Sequence, residues 1–294
     1  MKIHFIGVGK MGLPMAGHLR SAGHEVTVED LDPARVALAA AQGLEVKTCG
    51  AGICSAEAVF SSLPHDDALL AVAGMVASRA SRGLVFVDTS TVSPQASAEA
   101  AQELDEAGVQ YLRCTVSGNN KMAESAQLTT MVSGPRAAYE RLLPLLSTLG
   151  PNSFYLGDGE QARLMKLVVN LMIVQTSAML AEALALGRKG GLDWHDMWQV
   201  LGASAVASPI LKAKGVQLVQ RDFTPTFTVE QMLKDIGLIL DAGAASDVPL
   251  PQTAMTQQLM RSAMAHGDGQ QDYAVVIKSA ERAAGLAPMP DARR

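Results

Sequence analysis

The stretch that decides the fold is residues 2–24, KIHFIGVGKMGLPMAGHLRSAGH. Residues 2–6 form a short β-rich run, MGLPMAGHLRSAGH reads as a helix, and between them stands Gly7-Val8-Gly9-Lys10-Met11-Gly12. That is a GxGxxG spacing. Alone it is a weak motif, but a strand before it and a helix after it are the context a dinucleotide-binding turn requires. Gly7 would make the tight turn, Gly9 would let the backbone approach a pyrophosphate, and Gly12 would let helix and strand pack closely. The helix N-terminus then faces the phosphates. Lys10 and Met11 lie in the same loop and count with the cofactor-binding residues.

Working outward, the next strand, residues 24–28, leads into Glu29-Asp30-Leu31-Asp32-Pro33. Asp30 stands where this fold places the carboxylate that accepts bonds from the adenosine ribose. A 2'-phosphate beside that carboxylate would be repelled, and no arginine follows before Arg35, so the sequence favours NAD over NADP. Further strands are read at 58–63, 84–87 and 128–132, with helices at 94–107 and 135–146. Such alternation predicts an α/β fold, a Rossmann-type doubly wound parallel sheet, over residues 1–160. Ligands of such sheets bind at the carboxyl ends of strands, where Leu63-Pro64, Ser90-Thr91 and Val116-Ser117-Gly118 fall.

Residues 157–191, GDGEQARLMKLVVNLMIVQTSAMLAEALALGRKGG, read as one long helix apolar nearly all the way round, which predicts burial on every side. Lys166 and Asn170 break the apolar run four residues apart, on one face. A lysine among so many apolar neighbours calls for an explanation. Beyond it the spacing predicts helices at 193–202, 209–219, 228–245, 251–265 and 272–284, with Asp193 as an N-cap and His195 an exposed first-turn residue. Residues 161–294 are thus expected to hold an interdomain helix and an all-α second domain, with residues 288–294 a disordered tail.

Composition narrows the function. With 48% hydrophobic and 18% charged residues the chain is globular, and a net charge of -5 argues against a nucleic-acid or anionic-membrane surface. Three cysteines without a CxxC pair fit a reducing cytoplasm. Six histidines without HxxxH spacing give no expectation of a metal site. The start MKIHFIGVGK runs straight into the motif without a leader, and Lys166 and Asn170 interrupt the one candidate membrane span, so a cytoplasmic protein without membrane contact is expected.

With these residues in view the whole chain resembles the β-hydroxyacid dehydrogenase family. The resemblance rests on GVGKMGLPMAGHL, VDTSTVSP, TVSGNN followed by LTTMVSG, GDGEQARLMKLVVN and FTPTFTVEQMLKD, in that order. It implies hydride transfer between NAD and a small 3-hydroxy acid or its semialdehyde. It also implies that Thr91 sits beside the nicotinamide, that Ser117 and Gly118 hold the substrate carboxylate, and that Asn119 borders them. Lys166 would be the catalytic acid/base, oriented with the substrate by Asn170. Phe227, Lys234 and Asp235 would complete the site, Lys234 toward the cofactor and the other two toward the substrate. A buried lysine beside a positive nicotinamide is expected to have a lowered pKa suited to proton transfer near neutrality. A homodimer or homotetramer is implied as well.

Three departures from the family pattern are visible: Asn119 and Ala126 stand where glycines are usual, and Val169 precedes Asn170 where two asparagines are usual. The first two bear on the substrate rather than the reaction. Two other readings are an imine reducer of the same superfamily, against which the retained Lys166 argues, and a non-catalytic dinucleotide-binding protein, disfavoured by the set Ser117, Lys166 and Asn170.

Overall fold

The computed structural model describes residues 1–291. In chain order the elements are β1 (Lys2–Ile6), α1 (Gly12–Ser21), β2 (Glu25–Glu29), α2 (Pro33–Ala41), β3 (Glu45–Val46), β4 (Ala58–Ser61), α3 (Asp66–Arg79), β5 (Val85–Asp88), α4 (Pro94–Glu106) and β6 (Gln110–Ser117). There follow α5 (Asn120–Glu124), β7 (Thr129–Ser133), α6 (Arg136–Leu146), β8 (Asn152–Tyr155) and α7 (Gln161–Lys189). The rest is helical: α8 (Trp194–Ala203), α9 (Pro209–Val219), α10 (Val229–Ala245), α11 (Pro251–Ala265) and α12 (Val276–Ala283). The chain divides into two compact units, Met1–Lys166 and Leu167–Arg294. The boundary falls inside α7, so the first turns of that helix belong to the first unit.

The first unit is one sheet in the order β3-β2-β1-β4-β5-β6-β7-β8, with helices on both faces. Four-residue β5, Val85–Asp88, is buried throughout, as a strand covered on both sides must be. The strand order reverses between β1 and β4, the switch point at which such sheets bind ligands. One feature departs from the parallel sheet read from the sequence: β6 and β7 pair antiparallel, with Cys114 opposite Val132. Only residues 118–128 connect them, too few for the crossover of a dozen or more residues that parallel pairing needs.

Ala126, in that connection, has φ +52. This is the left-handed region, where a Cβ costs roughly 1–2 kcal/mol. Against this stands the extra freedom glycine has when unfolded, roughly 0.4–1 kcal/mol. Ala126→Gly is therefore expected to stabilise the protein by about 0.5 kcal/mol or more, seen as a higher urea midpoint at unchanged slope. A lower midpoint would show that the turn tolerates alanine at no cost.

In the second unit α8 to α11 start within a residue of where the sequence reading puts them, whereas the last expected helix, 272–284, opens as a 3-10 turn, Tyr273–Val275, and becomes α-helical only at Val276. Asp193 Oδ1 accepts from the amides of His195 at 2.8 Å and Asp196 at 3.1 Å, capping α8 and leaving His195 exposed. Thr228 and Gln231 form a reciprocal capping box at the start of α10, a device worth about 1 kcal/mol. The expected disordered tail is held as far as Asp291, whose carboxylate takes a bond from Lys278 at 2.5 Å, while Met289 packs on the core. Its last residues, 292–294, lie outside the described residues.

The helix α7 corrects two expectations. It begins at Gln161, not Gly157, because the acids ahead of it serve neighbours: Asp158 accepts from the Tyr155 hydroxyl and Glu160 pairs with Arg113. It is also not buried on all sides. Leu164, Met165, Val168, Met172, Met179 and Leu186 are exposed and share one face. By length and composition α7 could cross a membrane, but its opposite face is polar at Arg163, Lys166 and Asn170, and further along it packs into the helical core through Val174, Leu180 and Leu184.

Candidate active site

The GxGxxG loop is built as a cradle. Gly7 has φ +87, and a Cβ there would lie 2.4 Å from the Ser62 carbonyl oxygen; at Gly12 it would lie 1.9 Å from the Gly7 carbonyl oxygen. Both positions accept only glycine. At Gly9 an added Cβ would meet nothing within 4 Å, so the space over the loop is open. No side chain caps the first turn of α1, where the Leu13 amide bonds the Gly9 carbonyl at 3.1 Å, and a helix N-terminus without a side-chain cap suits an anion. Lys10 is exposed and Met11 half-buried beside them. These residues fit a dinucleotide pyrophosphate.

Asp30 follows the last residue of β2 and is fixed from both oxygens. Oδ2 accepts from the Val8 amide at 2.8 Å and Oδ1 from the Asp32 amide at 2.9 Å. A carboxylate offers about four acceptor positions, so two remain for ribose hydroxyls. Leu31, next to it, is 98% exposed.

The ends of β4 and β5 carry Leu63, Pro64 and Thr91, and a buried polar cluster joins them. Asp88 Oδ1 accepts from the hydroxyls of Ser61 at 2.5 Å and Ser90 at 2.6 Å, and Ser90 Oγ accepts from the Leu63 amide at 2.8 Å. Arg163 on α7 completes the cluster. Its Nη2 donates to Asp88 Oδ2 at 2.5 Å and the Tyr111 hydroxyl at 2.7 Å, Nη1 to the Ser90 carbonyl at 2.7 Å, and Nε to Ser97 Oγ at 3.1 Å. Burial pulls the guanidinium down, but the Tyr111 and Asp88 oxygens more than offset it, and its pKa is raised. Burial also raises the Tyr111 hydroxyl and pushes the Cys114 thiol up to about 12, which keeps both neutral.

Sequence reading missed Arg163. It stands three residues before Lys166 on the same helical face, a charged residue in an otherwise apolar run, and that was the available signal.

Two more bonds fasten the start of α7 to the sheet: Thr115 Oγ1 donates to the Ala162 carbonyl at 3.0 Å, and Ser133 Oγ accepts from the Ala162 amide at 3.1 Å. The turn carrying Lys166 is thus tied to β5, β6 and β7. Lys166 is half-buried. At the end of β6, Ser117 is half-buried and Gly118 has φ +142, where a Cβ would lie 2.6 Å from Leu128 Cδ2.

Asn119 is extended, φ -109, not left-handed, and its Oδ1 accepts from the Met122 amide at 3.0 Å as the cap of α5. The cap bond turns Oδ1 toward α5 and leaves the Nδ2 hydrogens for other partners.

In the second unit Asn170 and Asp235 come together, both buried. Asn170 Nδ2 donates to Asp235 Oδ2 at 2.6 Å, which leaves Asn170 Oδ1 as an acceptor. Lys234 Nζ lies 3.0 Å from Asp235 Oδ1. Asp235 is 1% exposed, so its carboxylate holds Asn170 and Lys234. Phe227 packs edge-on against Tyr273, and Asp272 fixes the preceding residue by accepting from the Thr226 hydroxyl at 2.7 Å and from Lys214 at 2.6 Å. Burial lowers the Lys214 pKa, against the pull of Asp272.

Comparison with known proteins bears on the whole chain. Residues 2–157 match the family described as the NAD binding domain of 6-phosphogluconate dehydrogenase, and residues 160–280 that described as NAD-binding of NADP-dependent 3-hydroxyisobutyrate dehydrogenase. The chain is 38% identical over 291 residues to 2-(hydroxymethyl)glutarate dehydrogenase of Eubacterium barkeri, covering 97% of each. It is 30% identical over 285 residues to 2-hydroxy-3-oxopropionate reductase of Escherichia coli K12, covering 96% of this chain and 97% of the other. A crystal structure of 3-hydroxyisobutyrate dehydrogenase from Salmonella typhimurium superposes with a TM-score of 0.85 at 27% identity, covering 94% of this chain and 98% of that one.

The sheet with its open glycine cradle, the helical second unit and these likenesses along nearly the full length have one reading: this chain belongs to the β-hydroxyacid dehydrogenase family, oxidoreductases that move a hydride between a nicotinamide cofactor and a small hydroxy acid or its semialdehyde.

Proposed function

We propose that the protein is an NAD-preferring dehydrogenase of a small 3-hydroxy acid, with Lys166 as general acid/base. The observation that carries this reading is the fastening of the first turns of α7 to β5, β6 and β7, whose carboxyl-end loops include Thr91 and Ser117. The nicotinamide, when bound, supplies the hydride acceptor. Lys166 takes the proton of the alcohol during oxidation and returns it during reduction. Ser117 Oγ and the backbone at Gly118 hold the substrate carboxylate. Asn170, its amide turned by Asp235, offers Oδ1 to the substrate hydroxyl or to the Lys166 ammonium.

Asn119 points to the kind of substrate. With Oδ1 turned to the cap of α5, its two Nδ2 hydrogens are the groups it has to offer a ligand, and they suit a second acceptor on the substrate. The relative named for 2-(hydroxymethyl)glutarate takes such a compound, a 3-hydroxy acid with a second carboxylate. NADH formation across a panel of 3-hydroxy acids tests the proposal. Turnover is expected, with dicarboxylic members above 3-hydroxyisobutyrate in kcat/KM; no turnover of any member would favour a non-catalytic dinucleotide-binding protein.

The exposed apolar face of α7 runs from Leu164 to Leu186, about 33 Å at the helical rise. A stripe of that length fits a second copy of itself across a two-fold axis, so a homodimer or a tetramer built from it is proposed. Light scattering at micromolar concentration should give a multiple of the chain mass, and Met172→Lys with Met179→Lys should lower it. A monomeric wild type would end this part of the proposal.

A further inference from the structure

Arg163 is the largest of the fully buried side chains, and its ion pair with Asp88 is 0% exposed at both ends. Such a pair is a poor source of stability, because well-packed apolar residues often do as well or better. Its placement offers another reason. Four of its five N–H groups reach four partners: Asp88 and the Ser90 carbonyl at the end of β5, Tyr111 on β6, and Ser97 on α4. Through Asp88 and the Ser90 hydroxyl the same cluster reaches the Leu63 amide after β4. Lys166 follows three residues later on the same face of α7, about 4.5 Å further along the axis.

We infer that Arg163 is a positioning residue: it fixes the turn that bears Lys166 against the two loops, Leu63-Pro64 and Thr89-Ser90-Thr91, that border the cofactor. The inference rests on Lys166 being the acid/base. One guanidinium ties both loops and the helix together, so a change in its reach displaces the proton-transfer group relative to the nicotinamide pocket. A displacement of about 1 Å can cost about 10²-fold in rate. A lysine at this position keeps the charge but loses the planar fork that bonds Asp88, Tyr111 and Ser90 together.

The test is a cycle of four proteins, wild type, Arg163→Lys, Lys166→Ala and the double variant, with kcat and KM measured per folded active site. Arg163→Lys is expected to lower kcat by about 10- to 100-fold, well beyond any change in KM for the hydroxy acid. In the Lys166→Ala background the same substitution should cost less than about threefold, because the group it positions is gone. Equal losses in both backgrounds, or an unchanged kcat in Arg163→Lys, would overturn the inference and leave Arg163 a structural residue. If Lys166→Ala alone kept its turnover, the acid/base reading would fail instead, and the two failures are distinct. Should Arg163→Lys not fold, Tyr111→Phe decides the matter: it removes one bond to the guanidinium and leaves the ion pair. Its kcat should fall by about fivefold in the wild type and hardly at all beside Lys166→Ala, and a wild-type kcat would count against positioning.

Discussion

Lys166→Ala is expected to lower kcat by roughly two to four orders of magnitude, the span for losing a general acid/base. Hydride departure from the alcohol carbon leaves a carbonyl only if the hydroxyl proton leaves too, and the base proposed for it, Lys166, is half-buried on the helix face that also carries Asn170. NAD affinity should barely change, because the cradle at Gly7, Gly9 and Gly12 and the carboxylate of Asp30 lie elsewhere on the first unit. A loss confined to kcat marks an interaction made in the transition state. Small primary amines should restore part of the rate to the alanine variant, as a lysine working through its amine requires. Near wild-type turnover would return Lys166 to a structural role.

The second large effect concerns cofactor choice. Asp30 is held by the Val8 and Asp32 amides, so it cannot swing away from a 2'-phosphate without losing two bonds. One like-charge contact at about 4 Å is worth up to about 4 kcal/mol at an effective dielectric of 20, close to three orders of magnitude, before screening by salt. Arg35 lies in the first turn of α2 and works in the opposite sense, but Asp32, the cap of that helix, stands beside Asp30 in the chain. The kcat/KM for NAD should exceed that for NADP by at least about 10²-fold, less at high salt. Asp30→Asn keeps the shape and removes the charge, and should cut the preference by about tenfold or more. Equal use of both cofactors by the wild type would refute the role given to Asp30.

Much of this was legible in the sequence because the decisive signals are local. The glycine spacing after a strand, the cap at Asp193 and the apolar periodicity of the second unit each act within a few residues, and α1 and α8 to α11 begin within a residue or two of those signals. The misreadings share a cause: they depended on which parts of the chain meet. The antiparallel pairing of β6 and β7 follows from a connection length that matters only once the strands are known to be neighbours. The exposed stripe on α7 looked buried because composition records that a face is apolar and not what covers it. Arg163 gained its meaning only when β5, β6 and α4 brought Asp88, Tyr111 and Ser97 around it. Asn119 stands where a glycine is usual, yet it is extended, φ -109. The left-handed positions in that loop proved to be Gly118 and Ala126, and Asn119 caps a five-residue helix instead.

The most direct test of the central claim is the fate of the hydrogen on the alcohol carbon. The best substrate of the panel, carrying deuterium at that carbon, would be oxidised with NAD in ordinary water and the reduced cofactor analysed by mass spectrometry. Direct hydride transfer predicts that the NADH carries the deuterium, without washout, and that both appear far more slowly with Lys166→Ala. Unlabelled NADH, or no reduction of the cofactor by any member of the panel, would contradict the account.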